Sequence, residues 1–75
     1  MPTLLFTDGF KFFFYANEHE PCHVHVIKGD GYCKIEITDF KVVHKHMKPK
    51  DLKKALLLVK AHRNEFMRQW YEYFS

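Results

Sequence analysis

The sequence predicts an α+β domain: an antiparallel β-meander of four to five strands with one long C-terminal helix packed across one face. Three observations predict it. Before Pro49, β-branched and aromatic residues dominate; after it, Lys, Leu, Ala, Arg and Glu take over. Asp8-Gly9 and Gly29-Asp30-Gly31 are turn signals set between apolar runs. Beyond position 50, neither Gly nor Pro interrupts a helical period.

Thr3–Phe6 reads as a first strand, and Asp8-Gly9 as a hairpin turn. "FKFFFY" follows as the second strand. Phe10, Phe12 and Phe14 share one face; Lys11, Phe13 and Tyr15 share the other. Both faces are largely apolar, which places this strand centrally. "ANEHEP" is a polar loop. A third strand from His23 to Lys28 and a fourth from Tyr32 to Thr38 flank the glycine turn.

Alternation sets how these two strands pair. Cys22, Val24 and Val26 form one apolar face, and Cys33, Ile35 and Ile37 form its match. Only an even-length loop, Gly29-Asp30 or four residues around it, brings them together. Val26 then faces Cys33, and Val24 faces Ile35. His25 falls opposite Lys34, and His23 opposite Glu36. The histidines point outward. The two cysteines stand roughly 13 Å or more apart, too far for a disulfide.

"KVVHKH" reads as a fifth, edge strand guarded by lysines. Pro49 opens the helix, with Asp51 in its first turn. Leu52, Leu56, Val59, Arg63, Phe66, Trp70 and Tyr73 then recur at helical spacing. A straight helix of this length measures about 37 Å. A body of this size has a radius of gyration of only ~11 Å. The helix is therefore expected to overhang the sheet or to bend near residues 62–64.

The 75 residues make one domain spanning 1–75. Eight Phe, four Tyr and one Trp supply the dense core that so short a chain needs. No apolar run reaches membrane-spanning length, and the first ten residues lack the pattern of a signal peptide. A soluble, cytoplasmic protein is expected. Net charge is +3, unevenly spread. Residues 1–40 carry three lysines against six carboxylates, whereas 41–54 carry six lysines against Asp51 alone. Lys45, Lys48, Lys50, Lys53 and Lys54 form a basic segment suited to RNA, DNA or an acidic protein. At the chain's end, Trp70, Tyr71 and Phe74 are residue types enriched at interfaces. They are candidates for docking a small protein partner or a second copy.

Two His-x-His pairs carry the possible chemistry: His23 with His25, and His44 with His46. Zinc takes three or four such donors, but no spacing rule ties the pairs together, and CxxC and HExxH motifs are absent. No cofactor is expected. A zinc ion, if held, would draw on His23, His25, His44 and His46, with Glu36 as ligand or ring partner. Acid–base catalysis on a phosphodiester is a second option, with His23, His25 and Glu36 as the catalytic set and Lys34 or Lys28 steadying the phosphate. The third is a polar strand face with no ligand.

"MPTLLF", "GFKFFFYANE", "EPCHVHV", "GDGYCKIEI" and "RNEFMRQWYEYF" together resemble the bacterial domain-of-unknown-function 4160 family. Cys22 stands where that family has Pro, and Ala16 where it has Ser. The resemblance marks Phe12, Phe14, Tyr15, Asn17, Glu18, His23, His25 and Trp70 as family-motif positions. It implies a small bacterial protein of the toxin–antitoxin-associated kind. The leading expectation is accordingly an interaction module that binds a small protein partner, and RNA through 41–54. The alternative is a ribonuclease-like or metal-binding protein built on the strand histidines. Whether the chain is an enzyme stays open on sequence alone.

Overall fold

The computed structural model describes residues 3–74. Five strands lie in chain order in one antiparallel sheet: β1 (Thr3–Thr7), β2 (Phe10–Phe13), β3 (His23–Lys28), β4 (Gly31–Glu36) and β5 (Lys41–His46). Two helices follow, α1 (Pro49–Ala61) and α2 (Arg63–Phe74). The α+β meander is as the sequence predicts, with all five strands present.

Turn chemistry explains the tight connections. Asp8 and Gly9 both adopt positive φ, 52° and 79°, as a type I′ hairpin turn requires. Gly29 takes φ 56° in the two-residue loop that joins Lys28 to its ladder partner Gly31. The loop is even, so the register is the expected one. Val26 pairs with Cys33, Val24 with Ile35, His25 with Lys34 and His23 with Glu36. The Ile37 amide donates to the Cys22 carbonyl at 2.9 Å and carries the match beyond the strand ends. Both thiols are free and buried.

The core forms on the valine face. Phe10, Phe12, Phe14, Cys22, Val24, Val26, Cys33, Ile35 and Ile37 meet Ala55, Val59, Phe66 and Trp70 from the helices. Phe12 packs on Phe66 and Phe14 on Trp70, with ring centroids 5.5 and 5.1 Å apart. Such tilted aromatic contacts add about 0.5–1.5 kcal/mol each beyond their area.

The single long helix is corrected to two. The break is at His62, whose φ −111° and ψ 17° leave the helical region. Its amide still donates to the Leu58 carbonyl at 3.0 Å, and its carbonyl accepts from Phe66 at 2.9 Å. Little backbone hydrogen bonding is lost at the joint. The cause is length: the protein's longest dimension is 34 Å and its radius of gyration 11.2 Å. A straight helix of about 37 Å would leave one end unpacked. Breaking at His62 lets Val59 and Trp70 both reach the core. Tyr73, expected on the buried stripe, is 46% exposed.

Two bulges shape the sheet edges. In β1 the register slips between Thr3 and Leu5. In β5 it slips between the Lys34–Val43 and Tyr32–His46 pairs, and His44 there sits at φ 52°. β2 ends at Phe13, earlier than the expected Tyr15. Among the described residues no helix is long and apolar enough to cross a membrane.

Two outcomes are expected. Phe66→Ala should cost about 3–5 kcal/mol in urea unfolding, whereas Tyr71→Ala, at an exposed position, should stay within ~0.5 kcal/mol. Burial pushes the Cys22 thiol up to about 12 and the Cys33 thiol to about 11. Disulfide-exchange reagents at pH 8 should therefore label the native protein at least ~100-fold more slowly than the unfolded chain.

Candidate functional site

Strand geometry builds the site. His23 and His25, two residues apart on β3, project to the sheet face opposite the core. The β2–β3 connection starts and ends beside this end of the strand, so its polar residues hang over the histidines. Glu18 from that connection places Oε2 2.9 Å from His23 Nε2 and Oε1 2.5 Å from His25 Nε2. The Tyr15 amide donates to Glu18 Oε1 at 3.2 Å and anchors the carboxylate from behind. His23 Nδ1 donates to the Pro21 carbonyl at 2.7 Å. A carbonyl only accepts, so that contact puts the proton on Nδ1.

Aromatic packing fixes the rings. His25 stacks on Phe13 at 5.5 Å and meets the edge of Tyr15 at 4.6 Å. His23 lies between His25, at 5.2 Å, and the Trp70 indole, at 4.9 Å. The Trp70 indole N–H donates to Glu20 Oε1 at 3.1 Å and ties the connection to α2.

Exposure separates the two histidines. His25 keeps 21% of its side chain accessible, but His23 keeps 1%. The expectation of outward-facing imidazoles is therefore corrected for His23, which the connection and Trp70 cover. Its Nε2 has no hydrogen-bond partner among the described residues. Its nearest polar neighbour is Glu18 Oε2, at 2.9 Å.

Electrostatics favour a charged Glu18 beside a neutral His25. Burial acts to raise the Glu18 carboxyl, but the Tyr15 amide and the two imidazoles outweigh it and hold the group below its ordinary value. Burial pushes His25 down. Glu18 pulls it partly back, while His23 and Lys34 push it further down, and the net shift is downward.

His25 also opens onto a groove of about 440 Å³ on the open sheet face. Phe13, Tyr15, Asp30, Tyr32, Lys34 and His44 are among the residues that line it. Among the described residues Lys34 has no ion-pair partner.

The remaining predicted residues are scattered. Glu36 is the ladder partner of His23, but the carboxylate at the rings is Glu18. His44 and His46 lie across β4 from the cluster, with His46 stacked on Tyr32 at 5.1 Å. The four histidines do not converge. Phe12 and Phe14 are core residues, Tyr15 is 49% exposed, and Asn17 is exposed. Trp70 is 2% exposed and belongs to the core; Tyr71 is exposed, and Phe74 is half-buried against Trp70. Lys45, Lys48, Lys50, Lys53 and Lys54 are all exposed, and Lys54 lies 3.6 Å from Asp8.

Sequence reasoning marked Glu18 only as a family-motif position and did not pair it with the histidines. The available signal was topological: a short connection between neighbouring antiparallel strands must return its polar residues to the first positions of the second strand.

No curated protein and no solved structure matches the chain. A family model does, over residues 9–71, covering β2 to β5, the Glu18–His23–His25 cluster, all of α1 and most of α2. The chain belongs to the family described as a domain of unknown function, DUF4160.

Proposed function

We propose that the open sheet face is a catalytic face, and that the Glu18–His23–His25 cluster cleaves a phosphodiester bound along the groove. One observation carries this: His25 meets the Glu18 carboxylate on one side and on the other opens onto a groove that also holds its ladder partner Lys34, which has no ion-pair partner among the described residues. The cluster takes the proton from the attacking hydroxyl or water as its oxygen bonds to phosphorus. The bond to the leaving oxygen then breaks, and that oxygen takes up a proton. Lys34 balances the charge that builds on the phosphoryl oxygens. Exposed Tyr15 and Tyr32 offer flat apolar surface to a base or aryl group. Short single-stranded RNA and an aryl phosphodiester are the test substrates. His25→Ala should lower kcat/KM by at least ~100-fold, the usual scale of one acid–base group. Lys34→Ala should act mainly on kcat, because the charge it balances builds only as the reaction proceeds. Wild-type protein that leaves both substrates intact, with and without added divalent metal, overturns the proposal.

A second reading keeps the interaction module, a toxin–antitoxin-like component of a bacterial cytoplasm. What favours it is the exposure of Tyr71 and Tyr73, at 52% and 46%, on α2, with six exposed lysines in 41–54. A small protein partner or a second copy would dock on α2, and RNA on the lysines. Because Trp70 is in the core, Tyr71→Ala with Tyr73→Ala is the informative change. On this reading the pair abolishes partner capture or self-association in light scattering, and His25→Ala leaves it intact. A monodisperse monomer whose RNA binding ignores Lys50→Glu and Lys53→Glu removes it.

A further inference from the structure

The geometry points to a divalent transition-metal ion held by Glu18, His23 and His25. This deepens the catalytic reading by naming what the cluster holds, and rests on it only for the choice of site; with an ion bound, the cluster's lone pairs would be taken, and a metal-bound water rather than a free imidazole would supply the attacking oxygen.

The decisive group is His23 Nε2. With Nδ1–H committed to the Pro21 carbonyl, the neutral ring carries its lone pair on Nε2. That atom is sealed from water and has no hydrogen-bond partner among the described residues. Its nearest polar neighbour is a carboxylate oxygen at 2.9 Å, which also presents lone pairs. Two electron-pair donors face each other inside the protein. The pair is stable only with a positive centre between them, a proton or a metal ion. A proton on Nε2 would make an ion pair with the carboxylate oxygen at 2.9 Å, whereas a metal ion would take the lone pairs of both atoms at once. A metal ion needs only that both atoms point toward a common centre.

The other features fit a metal. Nε2 of both rings and a Glu18 oxygen all lie within 4.8 Å of one another. Ligands about 2.0–2.1 Å from one tetrahedral ion stand roughly 3.3 Å apart. The separations of 2.9 and 2.5 Å open to that value with small side-chain shifts. A ring whose far nitrogen donates to a backbone carbonyl is the usual support of a histidine ligand. Phe13 and Tyr15 hold the His25 ring in place. Two imidazoles and one carboxylate suit zinc or another first-row ion, not calcium or magnesium, which prefer all-oxygen shells. Three protein ligands leave a position free for water or substrate, and His25 lies on the groove wall. His44 and His46 are excluded as ligands by β4, which separates them from the cluster.

Titration of the chelator-stripped full chain with cobalt(II), followed by zinc competition, tests this. The expected result is one equivalent of cobalt, visible d–d absorption, and displacement by zinc. Glu18→Gln and His25→Ala should each weaken binding at least ~100-fold, while His44→Ala combined with His46→Ala leaves it unchanged. His23 is buried, so His23→Ala is read only with a circular dichroism spectrum matching the wild type. Less than a tenth of an equivalent of cobalt overturns the inference, as does binding that survives Glu18→Gln and His25→Ala together. Phosphodiester cleavage that persists without bound metal sinks this inference and spares the catalytic reading. Stoichiometric metal with no cleavage does the reverse.

Discussion

The β3–β4 ladder is the constraint on which the rest depends. Its two-residue loop closes Lys28 on Gly31 and thereby sets every partner along both strands. A slip of one position would turn one strand's apolar set to water, either Val24 and Val26 or Cys33 and Ile35. If β3 were the strand to flip, two imidazoles would enter the apolar layer beneath the helices. One parity choice thus creates the core and the polar site together, on opposite sides of the same strand. Gly29 makes the choice inexpensive, because its φ of 56° carries little strain without a side chain.

The site also shows how a small protein closes off polar chemistry without a deep cleft. β3 supplies two rings in fixed spacing, and a connection of only nine residues between β2 and β3 supplies the carboxylate. Aromatic residues do the rest. Phe13 and Tyr15 flank one ring, and Trp70 covers the other. Desolvation follows from these contacts and pushes His25 down, while the Tyr15 amide and the two imidazoles hold the Glu18 carboxyl below its ordinary value against it.

Much of this was legible from residues alone, and the exceptions have physical causes. Alternation in "CHVHV" and "CKIEI" determines the ladder, because period two leaves only one parity that buries both apolar sets. Asp8-Gly9 announces its own turn. The break at His62 was visible only as a length conflict, since Glu, Arg, Asn and His around it carry no helix-stopping signal. Tertiary packing imposes it. Glu18 escaped pairing with the histidines because loop conformation has no periodicity to read. Glu36 stood out instead, since it occupies the ladder position opposite His23. Burial of His23 was hidden for the same reason: the residues that cover it come from a loop and from a helix 47 positions later.

The indole–carboxylate contact between Trp70 and Glu20 spans fifty positions of chain. It fastens the loop that carries Glu18 to the final turns of α2. Order in that loop is therefore underwritten by residues close to the C-terminus, remote in sequence from either histidine. Trimming the last half-dozen residues would strip away α2's closing turn while leaving the ladder whole. The rings would keep their places on β3, and the acidic arm above them would lose its mooring.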